Sequence, residues 1–94
     1  MKSILQADTD YCIECGRYGT EIHHVLFGKE NNRKLAERYG LTVGLCYYHH
    51  RASKTGVHGG NRELDLKLKR MAQVRFEETY TDKDFLALFG RNYL

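Results

Sequence analysis

The chain has 94 residues, a formal net charge of +3, five histidines and three cysteines, and no proline. That length sets one small domain whose core stabilises only marginally, and chains of this size often lean on a metal or on disulfides. No apolar run approaches the roughly 20 residues of a membrane span, residues 1–10 lack the apolar core of a secretion signal, and an odd cysteine count favours a metal over disulfides, so a reduced, cytoplasmic setting is expected.

Residues 1–10 are a polar lead-in. In residues 11–19 the punctuation by Cys12, Cys15, Gly16 and Gly19 resembles a zinc knuckle, a tight turn that brings two thiolates to one ion. Residues 20–27 are β-branched and apolar and end at Gly28, which predicts a strand. Its adjacent histidines, His23 and His24, then point to opposite faces, so a division of labour is expected: one binds a metal, the other does proton chemistry or packs. Asn31 or Asn32 is a candidate N-cap for a short helix over 33–38, with Gly40 as its stop. Residues 41–45 read as a second strand, followed at once by a helix carrying Cys46, His49 and His50.

Residues 53–60 form a loop whose three glycines let backbone come close to a ligand, and His58 sits among them as a metal ligand, a phosphate contact or a surface residue. Asn61 can cap a helix over 62–78, on which Leu64, Leu68, Met71, Ala72 and Phe76 share one face. Thr81 is expected to cap a last helix over 82–89, stopped by Gly90 and packed through Phe85, Leu86, Leu88 and Phe89.

Four residues carry the first constellation: Cys12-x2-Cys15, thirty intervening residues, then Cys46-x2-His49, a complete tetrahedral set for zinc. Cys46 and His49 fall on one helical face, but Cys46 and His50 are also an i, i+4 pair, so spacing leaves the fourth ligand open. The other histidines make the second constellation. One strand histidine can face His50 across a cleft, and two neutral imidazoles leave open positions on a divalent ion. The neighbouring strand histidine could deprotonate water, its ordinary pKa lying near neutrality.

From Arg51 to Arg75 seven Lys/Arg stand against Glu63 and Asp65, a local surplus of +5 that suits a phosphate backbone. Arg51, Lys54, Arg62, Lys69 and Arg70 are the candidate nucleic-acid contacts. Together these point to metal-assisted phosphodiester hydrolysis. The alternatives are a zinc-stapled module that binds DNA without cutting, and a zinc-stabilised domain whose basic helix binds an acidic protein.

The ordered set Cys12-x2-Cys15, Ile22-His23-His24-Val25 and Leu45-Cys46-x2-His49-His50 resembles the HNH endonucleases, also called ββα-metal or His-Me finger nucleases. The resemblance spans about residues 11–60 and is to the zinc-stapled branch, particularly small phage-type proteins like the recombination-enhancing nuclease family. It implies a small α+β fold: a zinc-stapled ββα-metal core with additional C-terminal helices over about 61–90, in a single domain of residues 1–94. By resemblance, Cys12, Cys15, Cys46 and His49 hold structural Zn²⁺, while His23 and His50 bind a catalytic Mg²⁺ or Mn²⁺, with His58 as an additional motif residue.

His24 matches the general base, the partner would be double-stranded DNA in a bacterial or phage-infected cell, and the products would carry 5′-phosphate and 3′-hydroxyl ends. One departure stands out: Leu41 and Thr42 occupy the region of the family's middle Asn, which makes Thr42 the candidate brace for the base. Two imidazoles would bind zinc at least as well as magnesium or manganese, so excess zinc is expected to inhibit.

Overall fold

A computed structural model describes residues 2–29 and 31–94, leaving Met1 and Glu30 outside. Strand β1 (Glu21–His24) pairs antiparallel with β2 (Thr42–Leu45), with Glu21 opposite Leu45, Ile22 opposite Gly44, His23 opposite Val43 and His24 opposite Thr42. The strand expected over 20–27 is therefore shorter. Val25 adds one bond to the Leu41 carbonyl (3.0 Å), and then Val25 and Leu26 turn wholly into the core.

Helix α1 (Asn32–Tyr39) fills the connection between the strands. Neither asparagine caps it through its side chain. Asn31 stands at the N-cap in the left-handed region (φ 72°), where Asn is tolerated better than most residues, and offers its carbonyl to the Leu35 N–H (2.8 Å); Asn32 is buried. Gly40 ends the helix with φ 74°, as its position predicts.

Helix α2 (Tyr47–His50) is a single turn entered directly from β2, with the Cys46 carbonyl accepting from the N–H groups of His49 and His50 (3.1 and 2.8 Å). The polar lead-in turns out to cover the free edge of β2: the Gln6 side-chain oxygen accepts the Gly44 N–H (2.8 Å), and the Gly44 carbonyl accepts the Ile13 N–H (2.9 Å). Only glycine fits there, because a Cβ at Gly44 would strike the Thr9 carbonyl.

Helix α3 (Arg62–Thr79) begins as expected, Asn61 accepting the Leu64 N–H (3.1 Å), and buries Leu64, Leu68, Ala72 and Phe76 while Met71 is only partly covered. Helix α4 (Phe85–Phe89) starts later than residue 82. Asp84, not Thr81, is its N-cap, because Asp84 has the extended backbone a cap requires and its carboxylate accepts from both Leu86 and Ala87 N–H (3.1 and 3.3 Å). Phe85 and Phe89 are buried, but Leu86 is 53% exposed: it lies about 100° round the helix from Phe85, away from the core.

The Phe76 ring meets Tyr39 (5.3 Å), Phe85 (5.5 Å) and Phe89 (5.9 Å), and the Tyr80 hydroxyl donates to the Tyr39 carbonyl (3.2 Å). This aromatic knot seats α1 against α3 and α4. Buried Gln73 ties down the tail through Asn92 and Tyr93 N–H (both 2.8 Å). The result is a small α+β structure with a two-stranded sheet and four α-helices among the described residues, none of them long and apolar enough to cross a membrane.

Candidate metal centres

The knuckle is built by its backbone. A bridge between Tyr11 and Tyr18, the Cys12 N–H to the Arg17 carbonyl (2.8 Å) and the Gly16 N–H to the Cys12 carbonyl (2.7 Å) close a turn that gathers the thiols of Cys12 and Cys15. Cys46 and His49 meet them from α2. Sγ of Cys15 and Cys46 are 3.7 Å apart, and His49 Nδ1 lies 3.4 Å from Cys46 Sγ and 3.8 Å from Cys12 Sγ. Ligands bonded to one tetrahedral zinc stand roughly 3.3–3.8 Å apart, given bonds of about 2.0–2.3 Å. The four side chains are thus compatible with structural zinc, and they answer the question that spacing left open: His49 joins the cysteines and His50 does not.

Burial alone would raise the Cys12 thiol, but N–H groups of Cys46, Cys15 and Glu14 outweigh it and bring it down to about 6. The Arg17 N–H pulls Cys15 the other way from its neighbours, yet desolvation and proton sharing with Cys12 and Cys46 leave that thiol raised. A thiolate favoured at Cys12 is ready for a cation, and the proton held by the raised Cys15 thiol is one that a cation would displace on binding.

The second centre gathers His23 from β1, His50 from α2 and His58 from the 3₁₀ turn Val57–Gly59, with ring centroids 4.9–5.2 Å apart. One nitrogen from each lies within 4.8 Å of the other two, so a single ion bonded at about 2.1 Å would draw them inward. Two of the loop glycines are required by the packing of this assembly. A Cβ at Gly59 would strike the Ala52 carbonyl and one at Gly56 the Arg51 nitrogen (2.6 Å), so glycine is what lets the His58 loop fold back on α2.

His23 is 2% exposed and its Nε2 has no hydrogen-bond partner, an orphaned atom of the kind that normally costs about 1–3 kcal/mol and calls for an explanation. Burial, followed by the charges of His50, His58, His24 and Lys69, pushes the His23 pKa down to about 3. Burial and then His50 and Arg51 also lower His58. Both rings are neutral at pH 7 and keep a lone pair for a cation. The donor set and the orphaned nitrogen fit a divalent ion.

His50 Nδ1 lies 2.8 Å from Glu21 Oε1, which also accepts from Arg51 Nε (2.9 Å). The hydrogen bond from His50, then that from Arg51, lowers the Glu21 pKa and keeps it a carboxylate. A carboxylate only accepts, so the hydrogen bond puts a proton on His50 Nδ1, and Nε2 is the nitrogen that could face a cation. Glu21→Ala is expected to weaken binding of a second divalent ion by about 10–100-fold with zinc retained, read by Mn²⁺ titration calorimetry on zinc-loaded protein. Unchanged affinity would remove Glu21 from that role.

His24 points to the other face of β1, as the alternation requires, and its Nε2 lies 2.8 Å from Glu37 Oε1 on α1. It still borders the same cavity of about 290 Å³ as His23, His50 and His58, together with Arg33 and Arg51. Arg33 and Glu37, one helical turn apart on α1, were not singled out by sequence, and neither was Glu21. The two-residue step from Glu21 to His23 was the readable signal, since it puts both on one face. Thr42 is buried opposite His24, with its carbonyl accepting from the Ser3 hydroxyl (2.5 Å).

The basic stripe of α3 is largely occupied within the fold. Lys69 pairs with Asp65 (2.9 Å), lies over the Phe27 ring (4.5 Å) and is only 12% exposed; Arg70 donates to the Tyr93 carbonyl (3.3 Å) and Lys67 pairs with Glu14 (2.8 Å). The side chains of Lys54 and Arg62 have no hydrogen-bond or ion-pair partner among the described residues, and the same is true of the Arg33 side chain. No family model, no curated protein and no solved structure matches this chain.

Proposed function

We propose that the protein is a metal-dependent DNA endonuclease that hydrolyses phosphodiester bonds. The observation that carries this reading is the convergence on one cleft of three imidazoles, one with an orphaned nitrogen, a separate histidine held by a carboxylate, and two arginines. His23, His50 and His58 would hold a divalent ion, which would supply Lewis-acid stabilisation for charge building on the phosphate and on the departing 3′ oxygen.

The chain's own groups do the rest. His24 accepts a proton from water as the water oxygen bonds to phosphorus. The bond from phosphorus to the 3′ oxygen breaks, that oxygen takes up a proton from solvent while His24 returns its own to solvent, and the ends are a 5′-phosphate and a 3′-hydroxyl. Arg33, whose side chain has no partner among the described residues, and Arg51, whose Nε is already given to Glu21, offer guanidinium donors to the phosphate oxygens. Lys54 and Arg62 extend the anion contact along the neighbouring backbone, and enclosed Lys69 instead supports the wall of the cleft behind Phe27. The zinc-compatible cluster fixes α2, and through α2 it fixes His50.

An all-nitrogen ligand set is softer than magnesium prefers, so Mn²⁺, Co²⁺ or Ni²⁺ should support more activity than Mg²⁺, and excess Zn²⁺ should compete. The test is cleavage of supercoiled plasmid by zinc-loaded protein with each ion or with EDTA, beside His58→Ala. Nicking that needs added metal and falls in the variant supports the nuclease. Wild-type protein that binds plasmid but never cuts it with any ion would leave a non-cleaving DNA-binding module in its place.

A further inference from the structure

The contact between His24 and Glu37 reaches beyond the metal centres, because it joins the cleft to a helix that holds none of the metal ligands. We propose that Glu37 is a positioning residue for the base, fixing the His24 imidazole with its proton on Nε2 and its Nδ1 lone pair free for water. This rests on the nuclease reading for its consequence in catalysis, but not for the geometry itself.

The argument starts from the hydrogen bond. His24 Nε2 and Glu37 Oε1 are 2.8 Å apart, and a carboxylate can only accept, so Nε2 carries the proton. The hydrogen bond from His24 heads the causes that lower the Glu37 pKa, which keeps the acceptor ionised. Only Nδ1 of that ring is then available as a base. Left alone, a neutral imidazole exchanges tautomers and can rotate about its side-chain bonds, so one nitrogen would be productive for part of the time only.

A half-exposed glutamate can hold a ring in place only if its own backbone does not move. Here α1 is clamped at its C-terminal end: Tyr39 packs on Phe76 (5.3 Å) and Tyr80 (5.0 Å), and its carbonyl takes the Tyr80 hydroxyl. Glu37 lies two residues before Tyr39 and is 51% exposed, while His24 is 15% exposed. The carboxylate therefore approaches from the solvent side and directs an imidazole that borders the cleft. Arg33, one turn earlier on the same helix, borders the cleft as well, so one surface of α1 serves both base and phosphate.

The test compares wild type with Glu37→Gln, which keeps an acceptor of the same reach, and Glu37→Leu, which removes it. Ring ¹⁵N shifts of His24 in zinc-loaded protein report the tautomer without any cleavage. The expected result is a proton on Nε2 in wild type and Glu37→Gln, and averaged ring nitrogens in Glu37→Leu. Plasmid cleavage should fall about 10-fold or more in kcat for Glu37→Leu, up to the roughly 10²–10⁴-fold that loss of a general base costs, with KM for DNA unchanged and with recovery in Glu37→Gln. Zinc content and far-UV circular dichroism confirm that each variant is folded.

A proton on Nδ1 in wild type, or the same tautomer and rate in Glu37→Leu, overturns the proposal. So does an altered tautomer with unaltered kcat, which would mean that the orientation of His24 is irrelevant to turnover. If wild type itself does not cut, the nuclease reading fails on the plasmid arm and the catalytic role of Glu37 fails with it. The ring shifts would then show separately whether the glutamate orients the ring.

Discussion

Replacing His24 with alanine is expected to lower the cleavage rate by about 10²–10⁴-fold while zinc content, fold and plasmid affinity stay as in wild type. The fold should survive because His24 borders a cleft and its one hydrogen-bonded partner in that contact, Glu37, is half exposed and can turn to water. Truncation therefore leaves no newly buried, unpaired charge. Metal affinity should also survive, since the nitrogens that converge belong to His23, His50 and His58 and not to His24. Initial rates on supercoiled plasmid at saturating Mn²⁺ are the measurement. Cutting by the variant at the wild-type rate would remove His24 as the base, and the α1 contact would lose its catalytic meaning.

Cys46→Ser is expected to cost the chain its zinc and, with it, the folded arrangement of residues 11–59. Cys46 is 3% exposed, its Sγ lies 3.4 Å from His49 Nδ1 and 3.7 Å from Cys15 Sγ, and it stands at the start of a four-residue helix that has no stability of its own. Zinc binding at such sites is worth about 10–16 kcal/mol at pH 7. A whole domain is stable by only about 5–15 kcal/mol. The staple is thus comparable with the entire margin. Because His50 rides on the same turn, the second centre should disperse too. Metal stoichiometry and thermal unfolding by circular dichroism check this: the variant should bind no zinc and lack the wild-type transition. A variant melting like wild type without zinc would show that the aromatic core around Phe76 suffices.

Much of the local structure could be read from residue types. The Cys-x2-Cys turn, the strand alternation that separates His23 from His24, the Gly40 stop and the Asn61 cap all follow from backbone geometry within a few residues. So does the buried face of α3. Where two local signals competed, the outcome needed the fold. Thr81 and Asp84 are both N-cap types, and the choice fell to Asp84 because the buried faces of Phe85 and Phe89 set where the helix begins.

The candidate sites divide along the same line. Sequence alone determined the inventory of candidate ligands, because zinc chemistry needs soft and borderline donors in pairs, and pairs two or three residues apart are held together by the local chain. Only the tertiary structure decided that His49 and not His50 joins the cysteines, and that His58 joins His23 and His50. It also decided that Glu21 and Glu37 each hold a histidine, that Arg33 enters the cleft, and that Lys69 turns inward over Phe27. The physical reason is that periodicity says which side chains share a face of an element. Which other element that face meets is set by core packing many residues away, here by the seating of α1 and α3 around Phe76 and by the glycine contacts that fold the His58 loop onto α2.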